Sequence, residues 1–181
     1  MPFTYTAIVG SRQFPPVAAG AVRDVAARIL ADPGAGIVSG GATGADHFAV
    51  RALLELGQPH RGLIVTPWKE FEGFPYSIRA DIERFAAGGG QIEWGSVPPS
   101  ANRPEVIAGL FGRNVRLVRR AAALAAFPHG SCNGTAFTIR KALESGIPVT
   151  VYFWDSDTGT LKQAHGNMHA QIPLFQNSAP N

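Results

Sequence analysis

Ser39-Gly40-Gly41-Ala42-Thr43-Gly44-Ala45-Asp46 stands between a short apolar run, Gly36 to Val38, and an amphipathic run, Phe48 to Leu56. Small residues that carry a strand directly into a helix leave the first backbone N–H groups of that helix without partners, where the helix dipole favours negative charge. The stretch predicts a strand–turn–helix junction with an anion site. Gly130-Ser131-Cys132-Asn133-Gly134-Thr135 repeats the arrangement, after the apolar run Ala121 to Phe127 and before another helical pattern. Gly10-Ser11-Arg12 follows the first apolar run and adds a guanidinium. Glycine at one strand end needs only a turn to explain it. Three such loops in one chain predict a shared ligand site at one sheet edge, and two phosphate-sized cradles point to a nucleotide.

Strand-like and helix-like segments alternate along the whole chain. Thr4 to Val9 reads as a strand and Val17 to Leu30 as a helix whose Ala18, Ala21, Val22, Val25 and Ile29 form one stripe. Gly36 to Val38 leads into the helix Ala45 to Leu56, and Gly62 to Val65 reads as a third strand. Ser77 to Ala87 is helical and stopped by Gly88-Gly89-Gly90, and Gln91 to Trp94 is a weaker fourth strand. Beyond the loop Ser96 to Ser100 a helix starts near Asn102, with Pro104 in its first turn, and runs to Arg120. Ala122 to Phe127, a helix over Thr135 to Glu144 and a strand over Ile147 to Phe153 close the series. The alternation predicts an α/β fold: a mainly parallel sheet with helices on both faces and ligands beyond the carboxyl ends of the strands. Residues 1–154 read as one domain. Residues 155–181, rich in Gly, Gln, Asn, His and Pro, read as a polar C-terminal tail or a partner-bound extension.

The chain has 181 residues, of which 45% are apolar and 16% charged, enough for one domain with a continuous core. Its formal charge of +3 permits an acidic ligand without demanding nucleic acid. No apolar run is long enough for a membrane span, and no basic segment with an apolar stretch opens the chain, so no membrane partner and a cytoplasmic location are expected. A single cysteine, Cys132, leaves no intramolecular disulfide and no multi-cysteine zinc site, and no histidine is positioned by sequence to activate it as a nucleophile. His165 and His169 are four residues apart, but Gly166-Asn167 separates them and no acidic or cysteine ligand is near, so no metal is expected. Neither G-x-x-x-x-G-K-[ST] nor a G-x-G-x-x-G after the first strand occurs, which disfavours P-loop hydrolysis and ordinary NAD binding. No cofactor is expected. The sequence leaves open whether the chain forms a homo-oligomer.

The expected ligand contacts are Gly10, Ser11 and Arg12; Ser39, Gly40, Gly41, Thr43, Gly44 and Asp46; Arg113 and Asn114; and Gly130, Ser131, Asn133, Gly134 and Thr135. Thr43 and Asp46 have the spacing of a capping box. Alternatively the Asp46 carboxylate accepts a hydrogen bond from a ribose hydroxyl or a base amine. In the helix after Asn102, Ile107, Leu110, Phe111, Leu117 and Val118 form one apolar arc. Asn114 lies inside the arc, where a polar side chain must bond to loop backbone or ligand. Arg113 lies at its edge, with its stem covered and its fork able to reach the glycine loops. Arg116, Arg119 and Arg120 are read as solvated. Trp68, Phe71, Phe74 and Tyr76 either plug the loop after the third strand or offer a base-stacking platform.

Gly10-Ser11-Arg12, Ser39 to Asp46 with Ala49, Gly112-Arg113-Asn114, and Gly134-Thr135 with Ala142 and Gly146-Ile147-Pro148-Val149 together resemble the SLOG superfamily. That group includes DNA-processing protein A and the Lonely Guy phosphoribohydrolases, and the resemblance runs from about Thr6 to Val151. It implies a Rossmann-like sheet that binds nucleotides, nucleotide-derived signals or single-stranded DNA at these loops. Lonely Guy enzymes cleave an N-glycosidic bond with a glutamate and an arginine. Arg113 matches the arginine, but Thr138 stands where the glutamate belongs. A catalytic role would therefore rest on Arg113 and Asp46, and only trace base release is expected. The Arg113-Asn114 pair and the Ser39-Gly40 turn are closer to DNA-processing protein A. Binding of a nucleotide or nucleotide-derived phosphate ligand is the first expectation. Hydrolysis of nucleoside 5′-monophosphates and single-stranded DNA binding are the alternatives.

Overall fold

The computed structural model describes residues 2–164. Strands β1 (Thr4–Gly10), β2 (Ala35–Ser39), β3 (Gly62–Val65), β4 (Gln91–Glu93), β5 (Ala121–Phe127), β6 (Val149–Asp155) and β7 (Thr160–Ala164) form one sheet in the order β4-β3-β2-β1-β5-β6-β7. The first six are parallel, and β7 runs antiparallel to β6. The helices are α1 (Ala19–Leu30), α2 (Ala45–Glu55), α3 (Tyr76–Ala87), α4 (Arg103–Arg120) and α5 (Asn133–Glu144). The expected three-layer, Rossmann-like architecture is therefore the observed one.

Side-chain alternation along the strands divides the core into two layers. Ile8, Ile37, Ile64 and Phe127 pack with Val22 and Val25 of α1, Leu53 of α2 and Ile82 and Phe85 of α3. Ala7, Val9, Val38, Val65 and Leu124 face the other way, against Leu117 and Val118 of α4 and Ile139 and Ala142 of α5. From β1 the chain steps outward through β2 and β3 to β4. It then crosses back to place β5 on the other side of β1. This reversal opens a crevice at the carboxyl ends of β1 and β5, the usual ligand position in such sheets.

Element boundaries move by a residue or two from the sequence expectation. The start expected near Val17 is a 3₁₀ turn, Pro16–Ala18, that precedes α1. The start near Asn102 is fixed by a reciprocal capping box: Glu105 N–H donates to Asn102 Oδ1 at 3.0 Å, and Asn102 N–H donates to Glu105 Oε2 at 3.1 Å. Beyond Asp155 the sheet continues. Residues 155–164 form a hairpin turn and the edge strand β7, paired from Asp155 opposite Thr160 to Val151 opposite Ala164. A strand as polar as Thr-Leu-Lys-Gln-Ala buries little on either face, so its pattern does not stand out from a tail. The rest of the expected extension, with His165 and His169, lies outside the described residues.

Candidate functional site

The crevice holds a cavity of about 390 Å³. Gly10, Ser11 and Arg12 line it from the end of β1, and Ser131, Cys132, Asn133, Gly134 and Thr135 from the loop and first turn of α5. Ile107, Leu110, Phe111, Arg113 and Asn114 of α4 form the opposite wall. Only Ala42 and Asp46 reach it from the β2–α2 junction. Ser39, Gly40, Gly41, Thr43, Gly44 and Gly130, expected among the ligand contacts, do not line the cavity.

The β2–α2 junction is occupied by the protein itself. Asp46 is 3% exposed; its Oδ1 accepts from Gly10 N–H at 3.0 Å and its Oδ2 from Arg113 Nη1 at 3.1 Å. The backbone amide of Ala42 faces the same carboxylate. Burial pushes the Asp46 carboxyl up and the Arg113 guanidinium down; their mutual attraction and hydrogen bond oppose both shifts, and the amides of Gly10 and Ala42 oppose the Asp46 shift alone. Gly40 is where the pair fits, because a Cβ there would fall on the Arg113 guanidinium. At Gly44, φ is +77° and a Cβ would clash with the Ser11 carbonyl, whose oxygen accepts from Ala45 N–H at 3.3 Å. Two expectations change here. The cap of α2 is Gly44, with no side-chain capping bond, so Thr43 and Asp46 do not form a capping box. The Asp46 carboxylate, read as a partner for a ribose hydroxyl, is instead held by Gly10 and Arg113, and at 3% exposure it presents little of itself to a ligand.

The second junction is open. Cys132 precedes α5 without a side-chain capping bond, and the N–H groups of Asn133, Gly134 and Thr135 have no acceptor among the described residues. The residues that carry these donors line the cavity at the positive end of a helix twelve residues long. Arg12 is exposed at the rim, with no ion-pair partner among the described residues. Ser11 is buried, and its Oγ accepts from Gln13 N–H at 3.1 Å, which shapes the turn that presents Arg12.

On α4 the polar intrusions behave as their positions require. Asn114 is buried and donates through Nδ2 to the Gly134 carbonyl at 3.4 Å, tying α4 to the start of α5. Arg113 reaches the glycine junction as expected, but Nη1 is committed to Asp46 and Nε is buried without a partner. Arg113 thus shapes the site before it can serve a ligand. Ile107 and Phe111 remain 43% and 40% exposed, because the first half of α4 overhangs the cavity instead of the sheet. Thr138 lines the cavity, yet its hydroxyl donates to the Gly134 carbonyl at 2.9 Å. Asp46 is the one carboxylate among the described lining residues. Burial raises the Cys132 thiol above its ordinary range, so it stays protonated.

Sequence reasoning missed two arginines. Arg116, read as solvated, donates to the Thr66 carbonyl at 2.6 Å and to the Trp94 carbonyl at 3.2 Å, because α4 crosses the ends of β3 and β4 where those carbonyls lack sheet partners. Arg61, 8% exposed, donates to the carbonyls of Leu30, Asp32 and Ala35 and to Gln58 Oε1. No local pattern marks either one, since every partner except Gln58 is distant in sequence. The aromatic cluster divides. Phe71 and Phe74 pack edge to face on Trp94, Trp68 covers Gly73, and Tyr76 is 90% exposed. The plug is built, and Tyr76 stands outside it. No helix among the described residues is long and apolar enough to cross a membrane, and no metal-ligating cluster occurs among them.

Residues 2–171 match the model of a family described as DNA recombination-mediator protein A. Two solved structures are similar in fold. DNA processing protein A from Helicobacter pylori, described for its single-stranded DNA binding mode, is 21% identical over 82% of this chain and 64% of its own, with a TM-score of 0.62. DNA processing protein A from Streptococcus pneumoniae is 23% identical over 82% of this chain and 50% of its own, also with a TM-score of 0.62. The chain thus spans between half and two thirds of these proteins. A search of curated proteins finds no match.

Proposed function

The chain belongs to the DNA recombination-mediator protein A family, and from that membership we propose that its cavity binds single-stranded DNA, one nucleotide unit at a time. The observation that carries the reading is the open start of α5. Three uncommitted N–H groups and the unpaired Arg12 face one cavity at the sheet's switch point, a donor set suited to a phosphate. Ile107, Leu110 and Phe111 supply an apolar wall for the base. The relative from Helicobacter pylori is described as binding single-stranded DNA, which supports choosing a strand over a free nucleotide.

A free nucleoside monophosphate is the second reading. It is favoured by the cavity volume of about 390 Å³, which lies within the small-molecule range of about 300–1,000 Å³. Glycosidic bond cleavage is not proposed. Asp46 is held by Gly10 and Arg113, and Thr138 offers no carboxylate. Fluorescence anisotropy with an oligothymidylate of about twelve nucleotides tests the proposal. Arg12→Ala is expected to weaken binding by about 1.5–3 kcal/mol, the scale of a charge-assisted hydrogen bond, with an unchanged melting temperature. Competition by thymidine monophosphate distinguishes the two sources of the phosphate. Equal affinity for strand and mononucleotide favours the second reading, and wild-type binding that is indifferent to Arg12→Ala refutes the cavity as the site.

A further inference from the structure

The apolar wall of the cavity continues onto the outer surface. Phe111 lines the cavity and meets Phe137 of α5 edge to face, with ring centroids 4.8 Å apart and planes at 78°. Phe137 does not line the cavity; it stands half-buried on the ridge between α4 and α5. Two cations lie over its ring, Arg140 Cζ at 5.9 Å and Lys141 Nζ at 5.8 Å. Lys141 is neutralised by Glu144 at 2.6 Å, whereas Arg140 is exposed and has no ion-pair partner among the described residues. Arg140 lies about 7.5 Å along the helix axis from Thr135, whose amide belongs to the open first turn.

A partly exposed aromatic pair, a guanidinium without an ion-pair partner among the described residues beside it and an adjoining phosphate-sized cavity are the parts a single strand needs: a stacking face and a charge at each nucleotide step. We infer that Phe137 and Arg140 form a second nucleotide subsite, where the base next to the one in the cavity stacks on the Phe111–Phe137 pair and Arg140 takes the adjoining phosphate. The inference rests on the single-stranded DNA reading and adds a path for the strand, out of the cavity and across α5. A protein partner would also cover partly exposed aromatic rings. The continuity with the cavity and the free cation favour the strand.

Anisotropy with the same oligothymidylate, run on wild type, Arg12→Ala, Phe137→Ala, Phe137→Tyr and Arg140→Ala, tests it, with melting curves to establish that each variant is folded. Phe137→Ala and Arg140→Ala are expected to weaken binding at least about fivefold, and Phe137→Tyr, which keeps the stacking ring, to bind as wild type. If Arg12→Ala weakens binding while Phe137→Ala and Arg140→Ala do not, the subsite falls and the cavity reading stands. If Phe137→Tyr is as weak as Phe137→Ala, stacking is not the contact and the subsite falls. If the wild-type protein does not bind the strand, both fall together.

Discussion

Asp46 and Arg113 are 67 residues apart in sequence, and the two are buried against each other where three segments meet: the end of β1, the β2–α2 junction and the middle of α4. Two charges taken out of water are tolerated only because each has partners, so removing one leaves the other unpaired at a cost of about 3–5 kcal/mol. Asp46→Asn is therefore expected to lower stability by that amount, read as a shift in urea midpoint at unchanged slope. Replacing both residues with apolar side chains is expected to recover part of the loss. A change below about 1 kcal/mol would mean that water reaches the pair. Arg113→Ala is expected to be destabilising for the same reason, so any loss of ligand affinity in that variant mixes folding with binding. Arg12 is the cleaner probe. The importance of Arg113 was legible, since an arginine and an asparagine beside an apolar arc must find partners. The fate of Asp46 was not. Thr43-x-x-Asp46 has the spacing of a local cap, and only the fold brings Gly10 N–H to the carboxylate.

Among the elements, α4 shows how one periodic pattern can hold two environments. Leu117 and Val118 are buried on the sheet, whereas Ile107 and Phe111, on the same arc, face the cavity. Hydrophobic periodicity marks the arc but does not say what covers it, so sequence reading located the helix and not the overhang. The β6–β7 hairpin is the converse case: the strand exists through backbone pairing and turn chemistry, with little burial to announce it. Asp155 organises that turn. It accepts from the amides of Asp157 at 3.0 Å and Thr158 at 3.3 Å, and pairs with Lys162 across the strands. Lys162 and these amides hold its carboxyl down to about 2, below the ordinary 3.8. A depressed carboxyl stabilises the folded form above its unfolded pKa, and that contribution fades as pH falls through the folded value. The hairpin is expected to keep its full contribution above pH 3.8 and to lose it as pH falls through about 2. Carboxyl carbon shifts followed by NMR check this: Asp155 should titrate near 2 in wild type and move upward in Lys162→Ala.

For the whole molecule, the reversal of strand order beside β1 concentrates three loops at one edge, and the +3 formal charge supplies only a mild attraction for a polyanion. Binding by a general basic surface and binding by a small number of placed donors differ in their salt dependence. Each neutralised phosphate of a single strand lowers log K with a slope of about −0.7 against log salt. One phosphate at the α5 start with Arg12 and one at Arg140 predict a slope of about −1.4, falling to about −0.7 in Arg140→Ala. A slope near −4 would instead require about six phosphates on the protein, more than the cavity and its rim can present. The dispersed arginines would then hold the strand, and the switch-point cavity would not be the site. Measured over a fourfold range of salt, the two slopes separate clearly. The shallow one carries a further consequence: affinity then comes chiefly from stacking and aligned hydrogen bonds, which salt does not screen, so Phe137→Ala should weaken binding at high salt as much as at low salt.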